Sequence, residues 1–113
     1  MKKIIREALN DSRITDLIGD NSFLMVKPEN VRCDSFVIYH ILNHKFQSYS
    51  GDSGKIEEYL IQFSIYSKSN FENIVENLNE VLKENGFLFQ YDLESYEDET
   101  KYYAYIARYK YYK

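Results

Sequence analysis

The sequence predicts an α+β fold, a two-layer sandwich in which a mostly antiparallel sheet of four to five strands packs against two helices. Two segments place apolar residues at the spacing of an amphipathic helix, and five others are rich in β-branched and aromatic residues. The predicted order of elements, α-β-β-β-α-β-β, is typical of hairpins packed against helices. With 113 residues, the chain is expected to form one domain, residues 1–113, with a core of its own.

Both helices are predicted from apolar spacing and from residues that begin or end helices. Residues 2–19 are expected to form a helix, a kink and a short second helix that ends at Gly19. Ser69 is a candidate N-cap of the other helix, because Glu72 follows three residues later as in a capping box. Gly86 is expected to end that helix. The apolar stripes consist of Ile4, Ile5, Ala8, Leu9, Phe71, Ile74, Val75, Leu78, Val81 and Leu82.

Three strands are predicted in the first half of the chain. Residues 23–26 form a short strand that ends near Pro28, since proline cannot donate a hydrogen bond to a ladder. Residues 36–46 and 55–66 form a hairpin. The loop 47–54 between them contains two glycines and three serines, so it is expected to be a flexible tip that can carry binding function.

Two more strands are predicted after the second helix. Residues 87–93 form one strand and lead into an acidic turn, residues 94–100. Residues 101–112 form a last strand that is rich in tyrosine. Because tyrosine has an apolar ring and a polar tip, it suits half-buried sheets and interfaces. The pattern does not identify which face of this strand is buried.

Composition excludes several classes of protein. The net charge is −4, which argues against a nucleic-acid binder with a basic face. Cys33 is the single cysteine, so no intrachain disulfide can form and a reducing compartment is expected. No signal peptide and no membrane-spanning run are predicted.

No catalytic, cofactor-binding or metal-binding set of residues is recognised, so the chain is not expected to be an enzyme. His40 and His44 have the spacing of zinc proteases, but Ile41 stands where such proteins have a glutamate. In a strand the two would lie about 13 Å apart, too far to share a zinc ion. Lys55 follows Gly54 as in a phosphate loop, but a strand rather than a helix comes next. The acidic residues 91–99 lack the spacing of a calcium loop.

One alternative function uses the tyrosine-rich strand to bind single-stranded nucleic acid. Aromatic side chains on a sheet stack on bases in several RNA-binding domains. Arg108, Lys110 and Lys113 would add positive charge. The acidic balance of the chain and the missing ribonucleoprotein motif argue against it.

Four features of the sequence resemble one known family. They are the helix end ITDLIG at 14–19, the strand SFVIY at 35–39, the loop YSGDSG at 49–54 before the strand end QFSIY at 62–66, and the helix that begins at Ser69. The chain resembles the tail completion, tail-terminator or head–tail joining proteins of long-tailed bacteriophages and prophages. It departs from the usual pattern at Ser35, where that family has proline.

The resemblance implies a structural role. Such proteins form a ring, usually a hexamer, at the head-proximal end of the tail tube, where the ring ends tube growth and joins the tail to the head connector. The implied partners are other copies of the chain, the tail tube protein and the connector or head-completion protein. DNA passes through the lumen without specific binding, and neither a cofactor nor a membrane is involved. The implied location is the virion, after synthesis in the bacterial cytoplasm. Another neck-ring protein, for head closure or as an adaptor, is the alternative within this class.

Candidate contact residues follow from this role. A ring built head to tail needs two different faces on each subunit, and the hairpin tip and the last strand could supply them. The candidate interface residues are Gln47, Ser48, Tyr49, Ser50, Gly51, Asp52, Ser53, Gly54, Tyr103, Tyr105, Tyr109 and Tyr111. An acidic lumen would let DNA slide. The candidate channel-facing residues are Asp52, Glu57, Glu58, Glu97, Asp98 and Glu99.

Overall fold

A computed structural model describes residues 1–48 and 55–113, with the backbone alone at residues 47, 48 and 55. The helices are α1 (Lys2–Leu9), α2 (Ser12–Ile18) and α3 (Glu72–Glu84). The strands are β1 (Ser22–Leu24), β2 (Ser35–Ser48), β3 (Lys55–Ser67), β4 (Leu88–Glu97) and β5 (Tyr102–Tyr112). The predicted α+β class is confirmed, and the kinked first helix consists of the two helices α1 and α2.

Local signals explain where the helices begin and end. The Asp11 carboxylate caps α2 by accepting a hydrogen bond from the backbone N–H of Arg13 at 2.9 Å. Gly19 and Gly86 follow helices with φ angles of 64° and 88°, which favour glycine. The predicted capping box at Ser69 is wrong. Helix α3 begins at Glu72, whose N–H donates to the side chain of Asn70 instead.

The five strands form one sheet in the order β1-β2-β3-β5-β4. Strand β1 pairs in parallel with β2, and every other pair is antiparallel. Strand β5 therefore lies between β3 and β4, although β4 precedes it in the chain. The predicted hairpin of β2 and β3 is confirmed.

The acidic turn is shorter than predicted. Glu94 and Glu97 belong to β4, where they pair with Tyr105 and Tyr102. Lys101 closes the turn with a φ of 64°. Pairing with the tyrosine-rich strand outweighs the low strand propensity of the acidic residues.

The helices cover one face of the sheet, which we call the helix face; the other is the open face. Residues of β3 and β5 alternate between the two faces, and Phe63, Ala107 and Tyr109 are fully buried on the helix face. From the helix layer, Ile5, Ile14, Leu78 and Leu82 pack against them. Burying such a side chain contributes roughly 1.5–3 kcal/mol. This core identifies the buried face of the last strand, which the sequence pattern left open.

An ion-pair network joins the helices at the edge of the core. Arg13 of α2 contacts the Asp11 carboxylate at 2.9 Å and the Glu84 carboxylate of α3 at 2.6 Å. Hydrogen bonds from Arg13 lower the pKa of Asp11 to about 2. The guanidinium thus links the start of α2 to the end of α3.

Candidate interaction surfaces

The structure separates the four tyrosines of β5 that were candidate contact residues. Tyr105 and Tyr109 are 3% and 1% exposed and belong to the core. The Tyr109 hydroxyl donates a hydrogen bond to Asn79 of α3, and burial raises its pKa. The prediction that these two tyrosines form subunit contacts is therefore corrected. Their rings face the helices because odd-numbered residues of β5 lie on the face of the sheet that the helices cover.

Tyr103 and Tyr111 remain candidates for surface contacts. The Tyr103 ring is 45% exposed and packs against Tyr96 at a centroid distance of 4.8 Å. Tyr111 is partly exposed beside Phe87, at 4.8 Å between ring centroids. They lie near opposite ends of β5, with the buried Tyr105 and Tyr109 between them. The helix face of β5 thus lacks the row of exposed rings that stacking on single-stranded bases requires.

The hairpin tip falls largely outside the described residues. This holds for Tyr49, Ser50, Gly51, Asp52, Ser53 and Gly54. The backbones of Gln47 and Ser48 belong to β2 and pair with Ile56 and Lys55. The tip stays a predicted contact region, carried on a long two-stranded hairpin.

Two of the acidic candidates, near the tip end of this hairpin, lie on opposite faces of β3. Glu58 is 7% exposed on the open face and contacts the Lys45 ammonium at 3.2 Å. A hydrogen bond from the Tyr112 hydroxyl, at 2.8 Å, lowers the pKa of the Glu58 carboxyl. Glu57 faces the other side and contacts the His44 ring at 3.2 Å. The two carboxylates therefore lie on different faces of the sheet, and their position toward a channel stays a prediction.

Three further acidic candidates, Glu97, Asp98 and Glu99, lie at the opposite end of the sheet, and Asp52 is outside the described residues. Glu97 pairs with Tyr102 at the start of β5, whereas Glu58 pairs with Tyr112 at its end. Ten residues of strand separate these points, a distance of about 33 Å. Asp98 and Glu99 are exposed in the turn beyond Glu97. The acidic candidates thus form two separate groups.

The edge strand β4 is the most exposed element of the sheet. All ten of its residues are exposed, including side chains of Leu88, Phe89, Tyr91 and Leu93 that are about half accessible. Within residues 1–48 and 55–113, no strand pairs with its outer edge. Exposed edges of this length and apolarity are sites of strand addition. The sequence does not reveal this surface, because nothing in it marks β4 as an edge.

The opposite edge of the sheet is only partly covered. Strand β1 pairs with Val37, Ile38 and Tyr39 of β2. Beyond them, the outer edge of residues 41–48 has no strand partner in the part of the chain that the structure describes. Phe46 is 63% exposed on this segment. Among the described residues, the sheet therefore has two different open edges.

An apolar groove lies beside the start of β4. Its volume is about 470 Å³, and it opens between α3 and the edge strand. The lining residues are Asn79, Lys83, Phe87, Leu88, Phe89 and Tyr109. The groove extends the apolar surface of β4 onto the helix face.

The residues tested for chemistry do not form a site. His40 pairs with Gln62 on the open face, whereas His44 stacks on Tyr59 on the helix face, at 4.1 Å between ring centroids. A bulge between Ile41 and Asn43 separates the two histidines. Among the described residues, no group of three or more His, Cys, Asp or Glu side chains could hold a metal ion.

Burial raises the pKa of the Cys33 thiol. No described helix is long and apolar enough to cross a membrane.

Comparison with solved structures finds a similar chain in the virion of a native gene transfer agent particle. The TM-score is 0.65 at 10% sequence identity, and the match covers 95% of this chain and 88% of the other. The two chains share a fold. No protein-family model matches the sequence, and no curated protein matches it.

Proposed function

We propose that the chain is a structural virion protein that forms a ring, hexameric as the resemblance implies, at the head-proximal end of a tail tube. The observation that carries this proposal is the fold shared with a virion chain of a phage-like gene transfer agent over 95% of the sequence. In this role the ring ends tube growth, joins the tail to the head connector and lets DNA pass. It acts as a structural component and not as an enzyme.

The two ends of the sheet support a position between two different partners. One end carries the part of the β2–β3 hairpin near its tip, with the paired charges Glu58 and Lys45. The other end carries the exposed acidic turn at Glu97, Asp98 and Glu99. A ring between tube and connector needs two unlike binding surfaces, one on each side. Ends about 33 Å apart with different charge can supply them.

The first experiment measures the mass and shape of the purified protein. Light scattering over a wide concentration range, alone and with added tail tubes, is expected to detect a species of about 82 kDa, six times the 13.6 kDa of one chain. Negative-stain class averages should show a closed ring with six-fold symmetry, free or on one end of each tube. A monomer under both conditions would contradict the proposal.

Deleting the gene in the strain that encodes the chain tests the position in the particle. The expected result is tail tubes of uncontrolled length that carry no heads, because growth is not ended. Tails of normal length without heads would assign the chain to another neck ring instead. Complete particles would exclude both roles.

A further inference from the structure

The backbone groups that face outward from β4 follow from the register of the sheet. Glu57 and Lys113 exchange both backbone hydrogen bonds, at 3.1 and 3.0 Å. Successive residues of a strand bond to alternate sides, so odd-numbered residues of β3 and β5 face each other and even-numbered residues of β5 face β4. Leu93, the partner of Ile106, therefore bonds inward. The residues whose N–H and C=O groups point outward are Asp92, Glu94 and Tyr96.

The outward groups of β2 follow in the same way. Even-numbered residues of β3 face β2, and Glu58 pairs with Lys45. Lys45 therefore bonds inward, and its neighbours His44 and Phe46 point their N–H and C=O groups outward. They lie on the segment that β1 leaves uncovered.

Both sets of outward residues carry their side chains on the helix face. Asp92 accepts a hydrogen bond from the core residue Tyr105 at 2.8 Å, and His44 stacks on Tyr59. Bonded partners in an antiparallel ladder have their side chains on the same face of the sheet. Pairing the two edges would therefore place the helices of both copies on one side of a continuous sheet.

Strand direction also fits a head-to-tail arrangement. Strands β2 and β5 run in the same direction, because both are antiparallel to β3, and β4 runs opposite to β5. When a second copy lies beside β4 in the same orientation, its β2 runs antiparallel to β4. The alternation of strands then continues from subunit to subunit, and every subunit has the same orientation, as a closed ring requires.

The chemistry of the two edges is complementary. Strand β4 carries Asp92, Glu94 and Glu97 and no Lys or Arg, whereas residues 41–46 carry His44 and Lys45 and no Asp or Glu. Both edges also expose large apolar side chains, Phe46 on β2 and five residues of β4 that include Phe89 and Tyr96. Opposite charge favours this partner edge, although Glu57 and Glu58 of the same chain already contact His44 and Lys45, and apolar burial stabilises the contact.

We propose that the outer edge of β4 pairs antiparallel with residues 41–48 of β2 in a second copy of the chain. The sheet then continues through the assembly, with every helix layer on the same side. This inference rests on the proposed ring and names the surfaces that build it. Strand addition of this kind supplies main-chain hydrogen bonds in many complexes.

Proline substitutions test the pairing, because proline removes one outward donor and is tolerated at an edge whose N–H faces solvent. Glu94→Pro breaks the β4 edge, and His44→Pro breaks the β2 edge. Glu94→Gln and His44→Gln make the matched controls, since they change the same side chains but keep the N–H. The expected result is a folded monomer for each proline variant and a ring for each glutamine variant. Circular dichroism verifies folding.

Mixing the two proline variants identifies the edges as partners. Glu94→Pro retains an intact β2 edge, and His44→Pro retains an intact β4 edge, so one interface can form between them. The mixture is expected to contain a 1:1 dimer of about 27 kDa, twice 13.6 kDa, and nothing larger. A mixture that stays monomeric where the wild type forms rings would overturn the pairing of these two edges.

Amide hydrogen exchange of the wild-type ring gives a result that does not depend on folding of the variants. The amides of Asp92, Glu94, Tyr96, His44 and Phe46 should exchange slowly in the ring and quickly in a dissociated sample. Rapid exchange in an intact ring, or rings formed by both proline variants, would overturn the pairing and leave the proposed function standing. A wild type that forms no ring would overturn both.

Discussion

The hydroxyl of Tyr105 donates a hydrogen bond to the carboxylate of Asp92 at 2.8 Å. Burial of Tyr105, with the nearby Asp92 charge, raises the pKa of this hydroxyl to about 12, so it stays a donor at neutral pH. The bond ties the core of the protein to its edge strand. It also holds a negative charge on the edge where the neighbouring subunit is proposed to bind.

Tyr109→Phe should lower stability through the loss of one buried hydrogen bond. The hydroxyl of Tyr109 donates to the side-chain oxygen of Asn79, and phenylalanine would leave that oxygen unpaired in a partly buried position. The expected decrease in the free energy of unfolding is about 1 kcal/mol, measured by urea denaturation. Tyr103→Phe is the control on the same strand face, since Tyr103 is exposed. Equal effects of the two changes would contradict this account.

Acid should remove the contribution of the Asp11–Arg13 pair. The folded state lowers the pKa of Asp11 from its ordinary 3.8 to about 2, so between these values the unfolded chain binds more protons. This contribution to stability is complete above about pH 4 and is lost as the pH falls through about 2. The melting temperature of the wild type should exceed that of Asp11→Asn at neutral pH, and the difference should shrink in acid. A constant difference would show that the charge of Asp11 is not responsible.

Glu58→Gln should destabilise the part of the hairpin near its tip in a salt-dependent way. The change removes the anion between the ammonium groups of Lys45 and Lys110, which lie 3.2 and 3.8 Å from its carboxylate. At low ionic strength the variant should have a lower melting temperature than the wild type. The difference between the two melting temperatures should become smaller as salt screens the charges. Glu99→Gln, in the exposed turn, should have little effect. If both variants melt alike, Glu58 contributes no more than a surface charge.

Gly86→Ala should destabilise the end of α3 by about 1 kcal/mol, because an alanine side chain is strained at a φ of 88°. Space is not the cause, since a Cβ atom there would lie 3.6 Å from the Tyr111 ring. Gly86→Asn should recover part of the loss, because asparagine tolerates this conformation better. Urea denaturation of the wild type, Gly86→Asn and Gly86→Ala should give stabilities that decrease in that order. A steric effect would instead make the larger asparagine less stable than alanine.

Local patterns in the sequence predicted most of the elements but little of the surface. The apolar spacing around Ile5 and Leu78 identifies helices, and the loop after Phe46 identifies the hairpin. The burial of Tyr105 and Tyr109 could not be predicted, because tyrosines occur on both faces of β5 and its alternation carries no signal. The insertion of β5 beside β3 depends on pairing between distant residues, such as Ile65 with Tyr105. The open edge at Glu94 depends on that same topology.

The central place of β5 also determines the order in which the chain can fold during synthesis. Strand β4 leaves the ribosome before β5, yet it has no neighbour in the sheet until β5 inserts between it and β3. Until β5 is placed beside β3, a folding chain therefore carries an apolar, unpaired β4. Pairings this distant in sequence also slow folding. We expect the nascent chain to be most prone to aggregation at this stage, just before its tyrosine-rich strand completes the sheet.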